Sequence, residues 1–359
     1  MMQKNQAIPF NKENFKLIFS KEFALVIIIS IPSAIVAEFF NIPLAWFLGP
    51  MLITSLASLM GLKTKMPKLV LSLTLILLGL YIGNYIDKSL FSQIHQWAFT
   101  SMIMLVYIIV SVLIVSRYLQ IFSKYDKKTS IFSAAPGALG PLMILAEDEK
   151  SDLSQVATSH LIRLIIIITI FPFIVNSFYD VENIKIAEEI INDQNILHLI
   201  LLIISSVFLI IIFDKFKIPA ALLSGTLFAS GFLQISEIAS YQLPPNIIDF
   251  CLLILGASVG CRFANKTFSE IARNALHSFV ATFLLVALGL IAAFAASLII
   301  DKNFFTLLLS YCPGGIYEVA VIAIFFDLDP EFVSFHHIIR LLMILFIVPL
   351  ILRIIEKKA

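Results

Sequence analysis

Apolar runs long enough to cross a lipid bilayer recur along the whole chain. Six lie in the first half, at roughly 22–40, 44–60, 69–86, 97–116, 129–146 and 155–178, and six in the second half, at roughly 196–213, 219–233, 247–261, 275–300, 304–326 and 332–352. A crossing helix needs about 20 predominantly apolar residues. Only 14% of the residues are charged, against about 25% in a soluble domain. The sequence therefore predicts an all-α polytopic membrane protein.

The two halves of the chain repeat each other. The matching pairs lie 177 residues apart: Gly79 and Gly256, Gly83 and Gly260, Pro136 and Pro313, Asp152 and Asp329, His160 and His337, Arg163 and Arg340, and Pro172 and Pro349. A constant spacing over so many positions indicates an internal duplication. We therefore expect a cytoplasmic N-terminal segment at 1–21, a first membrane repeat at 22–178, a link at 179–195 and a second repeat at 196–359.

Loop charge predicts how the repeats are oriented. Loop 61–68 carries three lysines whereas its counterpart 234–246 has no Lys or Arg, and loop 262–274 carries three basic residues whereas 84–96 has only Lys88. Cytoplasmic loops carry an excess of Lys and Arg. Equivalent loops are therefore expected on opposite sides, which makes the repeats inverted and requires an odd number of crossings in each. We predict five crossings plus one broken or re-entrant helix per repeat, with both termini in the cytoplasm.

The interrupted helix of each repeat is expected at its proline–glycine pair. These breaks are Pro136-Gly137 in segment 129–146 and Pro313-Gly314-Gly315 in segment 304–326. Proline lacks a backbone donor and glycine weakens a helix. Each break would leave bare N–H and C=O groups at membrane depth, where they could hold a solute or an ion. The alternative for either break is a simple kink or a close packing contact.

Two arginines lie inside apolar segments. Arg163 and Arg340 would each cost at least about 2.5 kcal/mol in hydrocarbon, so they are candidates for binding a solute or for gating. Two structural alternatives remain. Each side chain could snorkel to the interface, or it could pair with a carboxylate that only holds the fold together.

Histidines accompany these arginines. His160 and His337 precede Arg163 and Arg340 by three residues and share a helix face with them, whereas His336 points elsewhere. They could relay protons or serve as hydrogen-bonded core residues. A metal site is disfavoured because adjacent histidines do not converge on one ion, and no Cys stands at ligand spacing.

Glu318 is the candidate for a coupling or substrate-binding carboxylate, and an ion pair with Arg340 is its structural alternative. The first repeat has Pro141 at the equivalent position. Asp152 and Asp329 stand just before a helix and are expected to cap it.

The runs SAAPGALGPLMILAEDEKSDLSQVATSHLIRLIIIITIFPFIV and SYCPGGIYEVAVIAIFFDLDPEFVSFHHIIRLLMILFIVPLIL resemble the duplicated unit of the AbrB family of bacterial integral membrane proteins. The pattern P-G-G-x-x-E followed by H-H-x-x-R carries the likeness. The first copy departs from it at Ala138, Pro141 and Ser159. The resemblance implies a bacterial inner membrane location, and family labels such as ammonia monooxygenase or transcriptional regulator.

Three functions follow from these features. The favoured one is a secondary transporter or exporter of a small polar solute, either anionic or zwitterionic, coupled to protons or sodium. An oxidoreductase would need convergent metal ligands, which the spacing does not supply. A regulator that binds DNA directly would need a basic folded module, so an indirect effect on gene expression is the second alternative. We expect no cofactor and no nucleic acid; the partners are the solute and the bilayer, and a homo-oligomer is left open.

Overall fold

The computed structural model describes residues 12–84, 86, 89–137, 139–178, 196–239, 241, 243–264 and 266–356. Within these ranges the chain is helical and contains no strand. The predicted link 179–195 lies outside the described residues, as does most of the predicted N-terminal segment.

The first repeat contains α2 to α8, which follow a short α1 at Lys12–Ile18. These are α2 (Lys21–Phe39), α3 (Ala45–Leu59), α4 (Lys68–Gly83), α5 (Ser89–Phe122), α6 (Lys127–Ala134), α7 (Leu139–Asp148) and α8 (Leu153–Phe178). The second repeat contains α9 (Ile196–Lys215), α10 (Ala221–Ile235), α11 (Pro245–Cys261), α12 (Phe268–Ser297), α13 (Phe304–Tyr311), α14 (Ile316–Phe325) and α15 (Pro330–Glu356). Each predicted apolar segment corresponds to one helix or, at the two breaks, to a pair of short helices.

Six of the helices are long and apolar enough to cross a membrane: α2, α5, α8, α9, α12 and α15. The helices α3, α4, α10 and α11 are shorter but also apolar. The prediction of an all-α polytopic membrane protein is confirmed. Helix α5 is longer than the predicted segment 97–116 because hydropathy marks only its apolar part, and the helix continues through the polar residues on both sides.

The helices form two compact units, and each unit contains helices from both repeats. Unit 1 comprises residues 1–91, 172–267 and 324–331, and so holds α1 to α4 and α9 to α11. Unit 2 comprises residues 92–171, 268–323 and 332–359, and so holds most of α5 to α8 and of α12 to α15. The repeats are therefore divisions of the sequence, whereas each compact unit takes matching helices from both.

In unit 1, glycines at matching positions of the two repeats lie at helix–helix contacts. A methyl group at Gly83 of α4 would lie 2.5 Å from Cβ of Ser230 in α10, and one at Gly260 of α11 would lie 2.6 Å from Cβ of Thr54 in α3. Glycine lets two helix backbones approach closely where lipid provides no hydrophobic driving force. The third helix of each repeat thus packs on the second helix of the other. Asn84, at the end of α4, donates to the carbonyl of Tyr241 at 2.8 Å.

In unit 2, α6 and α7 form a helical hairpin. Nζ of Lys128, at the start of α6, lies 2.6 Å from a carboxylate oxygen of Glu149, just past the end of α7. The backbone N–H of Asp152 also donates to Oγ1 of Thr129 at 2.9 Å. A continuous helix would separate Lys128 from Glu149 by about 30 Å, at 1.5 Å per residue. The two ends of the hairpin therefore lie together, as the predicted re-entrant helix requires.

Outside the hairpin, the described part of the first repeat has five apolar helices, α2, α3, α4, α5 and α8. Five is an odd number, which is the condition that the predicted inversion of the second repeat requires. Asp152 caps α8, accepting from the N–H of Gln155 at 3.0 Å, as predicted.

Candidate functional site

Both breaks in unit 2 have the same backbone geometry. Ala135 and Cys312 end α6 and α13 with φ/ψ of −59°/128° and −58°/131°. A proline at the next position disfavours the helical region for these residues. Beyond each proline the chain turns tightly, since the N–H of Gly137 donates to the Ala135 carbonyl at 3.0 Å and that of Gly314 to the Cys312 carbonyl at 2.8 Å. The two Pro-Gly pairs therefore interrupt the helices and do not merely kink them.

In the first repeat, α8 caps the carbonyls at the end of α6. Nε2 of His160 donates to the Phe132 carbonyl at 3.0 Å. Arg163 donates from Nη1 to the Ala135 carbonyl at 2.6 Å and from Nη2 to the Ser133 carbonyl. The guanidinium places positive charge at the negative end of the helix dipole of α6.

The second repeat has the same hydrogen bonds from a histidine and an arginine to the end of its broken helix. Nε2 of His337 donates to the Leu309 carbonyl at 3.0 Å, and Nη1 of Arg340 donates to the Cys312 carbonyl. The His–carbonyl pair and the Arg–carbonyl pair each span 28 residues in both repeats. Nη2 of Arg340 differs from its counterpart, since it donates to the Gly314 carbonyl at 2.6 Å, across the break.

Both structural alternatives for Arg163 and Arg340, snorkelling to the interface and pairing with a carboxylate, are wrong. Their exposed fractions are 3% for Arg163 and 1% for Arg340, so neither side chain snorkels to an interface. Their contacts within the described ranges go to backbone carbonyls and to His337, and include no carboxylate. In particular, Glu318 is not the partner of Arg340. The capped groups are the carbonyls that the breaks themselves expose.

The two arginines lie well inside their helices. Arg163 is the eleventh residue of α8, and Arg340 is the eleventh residue of α15. Ten residue steps correspond to about 15 Å along a helix. Each arginine is therefore as far from the start of its helix as half the thickness of the roughly 30 Å hydrocarbon core of a bilayer.

The two breaks adjoin within unit 2. A methyl group at Gly137 would lie 2.9 Å from Nη2 and 3.3 Å from Nε of Arg340, so a guanidinium that caps the second break also lies against the first. Arg163 and Arg340 lie near each other, and both lie near the buried hydroxyl of Tyr107. Positive φ of +113° at Gly137 is a further reason for glycine there.

Hydrogen bonding assigns the protonation of His337. Its Nε2 donates to a carbonyl, while its Nδ1 accepts from Nη2 of Arg340 at 3.0 Å. Since Arg has no acceptor, Nδ1 carries no proton and the ring is neutral. His337 therefore positions Arg340, and it could carry a proton only by giving up this contact.

His336 belongs to a separate polar cluster. Its Nδ1 lies 2.9 Å from the Phe332 carbonyl, and its Nε2 lies 2.7 Å from Oγ1 of Thr100. Oη of Tyr311 donates to the Thr100 carbonyl at 2.8 Å, which ties α13 to α5. The sequence prediction that His336 points away from its neighbour is confirmed. The sequence analysis does not single out Thr100, Tyr107 and Tyr311. Their hydroxyl groups within apolar helices are the sequence feature that could have indicated them.

Glu318 lies in the first turn of α14, and its side chain folds back over Gly315. A methyl group at Gly315 would overlap the Glu318 carboxylate, with 2.8 Å to Cδ. The carboxylate is buried, at 1% exposure, and negative charge is favourable at a helix N-terminus. No group of three His, Cys, Asp or Glu residues converges within the described ranges, and Cys251, Cys261 and Cys312 are free thiols.

Paired interrupted helices with buried arginines define a polytopic membrane protein with a polar site inside its helices. The chain matches the family described as "Transition state regulatory protein AbrB", over residues 2–89 and 46–356. It belongs to the AbrB family, as its motifs indicated. It is 23% identical to "Putative regulator AbrB" of Escherichia coli (strain K12), over 89% of this chain and 92% of that protein. It is also 23% identical to "Uncharacterized protein YhjN" of Bacillus subtilis (strain 168), over 80% of each. No solved structure matches the chain.

Proposed function

We propose that this AbrB-family protein is a secondary transporter or exporter of a small polar solute in the bacterial inner membrane, with both termini in the cytoplasm. One observation carries the proposal: the guanidinium of Arg340 caps the break after α13 and lies against Gly137 in the other break. Two discontinuous helices from related repeats thereby share one polar locus. Such loci near the midplane are where secondary transporters bind their substrates.

Positive charge is present at all the helix ends of this locus. Arg163 and Arg340 occupy the carbonyl ends of α6 and α13, which in other transporters could coordinate a cation. The N-terminal ends of α7 and α14 add partial positive charge. Any coupling ion, proton or sodium, would therefore bind elsewhere or would have to displace a guanidinium. Alternating access would follow if solute binding rearranges the hydrogen bonds of the two breaks.

An indirect role in gene expression is the second candidate. It is favoured by the family description and by the printed name of the Escherichia coli relative. A transported metabolite that acts on a separate regulator would reconcile those names with a chain made of apolar helices. The oxidoreductase label is not proposed, because the described residues assemble no convergent set of metal-ligating side chains.

The test compares metabolites in cells with and without the protein, and then measures flux of the accumulated solute in proteoliposomes. We expect Arg340→Ala and Glu318→Gln, in variants that retain the folded yield, to abolish flux. Arg117→Ala and Glu147→Gln are matched controls at exposed positions and should transport normally. Normal flux in both site variants would remove these residues from the mechanism.

A further inference from the structure

We infer that the locus between the two breaks binds a solute with one negative charge, of the carboxylate class. The inference rests on the proposed transport site and specifies its substrate. The duplicated unit contributes two buried guanidiniums but only one acidic side chain, because the first repeat has Pro141 where the second has Glu318. With His337 neutral, the formal count at these matched positions is two basic side chains, Arg163 and Arg340, against one acidic side chain, Glu318.

Both guanidiniums retain donors for a ligand. An arginine has five N–H donors, and the described hydrogen bonds use two nitrogens of each side chain. Nε of Arg163 and Nε of Arg340 are buried and have no acceptor among the described residues. A buried donor without a partner costs about 1–3 kcal/mol. A carboxylate between the two side chains would supply the missing acceptors and neutralise the excess charge.

The guanidinium of Arg340 lies beside the start of one outgoing half-helix, and the helix that carries Arg163 lies beside the start of the other. Nε of Arg340 faces the backbone of Gly137, two residues before α7 begins. On the other side, a methyl group at Gly314 would lie 3.6 Å from Cγ2 of Ile167, one turn beyond Arg163 on α8. Each of these helix starts therefore lies next to a helix that carries a buried arginine. The helix N-terminus and the guanidinium both favour negative charge. A carboxylate matches the planar guanidinium fork.

Binding can be measured without transport. The full-length protein in detergent is heated with sodium salts of monocarboxylates from acetate to benzoate, with inorganic phosphate, with glycine and with methylammonium chloride, all at equal ionic strength. We expect at least one monocarboxylate to raise the melting temperature, and glycine and methylammonium to leave it unchanged. No shift with any monocarboxylate, or a shift only with glycine, methylammonium or phosphate, overturns the inference.

A substitution in the first repeat provides a second test of the inference. Pro141→Glu places an acid at the position equivalent to Glu318, and we expect this built-in carboxylate to weaken monocarboxylate binding by more than about tenfold, which is 1.4 kcal/mol. Pro141→Gln is the uncharged control and should keep the affinity. Unchanged affinity in Pro141→Glu, or failure of that variant alone to fold, contradicts the missing-carboxylate argument.

The two proposals can fail separately. Binding of a monocarboxylate in detergent without flux in proteoliposomes would overturn transport and leave the anion site standing. Flux of a neutral or cationic solute, with no carboxylate binding, would do the reverse.

Discussion

The guanidinium of Arg340 lies against Gly137, although 203 residues separate them in the chain. Arg340 also caps the Cys312 and Gly314 carbonyls. One side chain therefore joins the interrupted helices of both repeats, and its surroundings govern the predictions that follow.

Gly137→Ala should destabilise the protein more than Gly61→Ala. Both glycines have positive φ, +113° and +88°, but a methyl group at Gly61 meets nothing within 4 Å whereas one at Gly137 presses on Arg340. Backbone strain of about 1–3 kcal/mol is common to both, so the difference in free energy of unfolding reports the crowding of Arg340. Equal losses in denaturant titrations of the two variants would mean that Arg340 moves aside freely.

Arg340→Lys should lose stability and flux although it keeps the charge. Lysine presents a single ammonium and cannot bridge the Cys312 and Gly314 carbonyls with a planar fork. A carbonyl left uncapped in the interior costs about 1–3 kcal/mol. Thermal unfolding and proteoliposome flux measure the two effects, and Arg117→Lys at an exposed position of α5 serves as the control. Unimpaired flux in Arg340→Lys would show that charge alone is sufficient.

His337→Phe should be more damaging than His160→Phe. Each change exposes one carbonyl, that of Leu309 or of Phe132, but only His337 also accepts a hydrogen bond from its arginine. We expect a deficit of about 1 kcal/mol beyond the His160→Phe value in the free energy of unfolding. His337→Gln, which offers both a donor and an acceptor, should recover part of the loss. Equal values for the two Phe variants would contradict the positioning role of His337.

The hairpin and the inversion can be tested by labelling. In a background with the three native cysteines replaced by alanine, Lys128→Cys and Glu149→Cys should react with a membrane-impermeant maleimide from the same side. Asp301→Cys, near the start of the second broken helix, should react from the opposite side. Labelling of Lys128→Cys and Glu149→Cys from different sides would rule out the re-entrant hairpin, and labelling of all three from one side would rule out inversion.

Gly256→Ala should disrupt unit 1, whereas Gly289→Ala should be tolerated. Both glycines are inside helices. A methyl group at Gly256 would overlap the backbone carbonyl of Phe47, with 3.0 Å to its carbon, while the nearest atom at Gly289 is 3.1 Å away and the next 3.7 Å. Both contacts are with backbone atoms, which cannot rotate away as a side chain can, so the shorter distances at Gly256 decide the difference. Folded yield and unfolding temperature compare the variants, and a well-folded Gly256→Ala protein would show that α3 and α11 can separate without loss.

Much of the fold could be predicted because hydropathy is a local property of the sequence, and internal repetition is found by comparing the sequence with itself. The bilayer requires apolar helices of a given length, so the helices containing Arg163 and Arg340 were located correctly to within a few residues. Proline at 136 and at 313 disfavours the helical conformation for the residue before it, and the glycine that follows weakens the helix further, so the breaks could be predicted as well. The choice between a re-entrant and a crossing form could not, because it depends on the contact of Lys128 with Glu149.

The order of the residues alone indicates a duplicated bundle of membrane helices, one interruption in each copy, and arginines and histidines near those interruptions. What these side chains contact is evident only from the packing of the helices. Arg340 reaches the carbonyls of Cys312 and Gly314 instead of the Glu318 carboxylate, and it lies against Gly137 of the other repeat. The reason is that backbone carbonyls carry no sequence signal. Their demand for donors becomes evident only when a helix ends inside the membrane with another helix beside it.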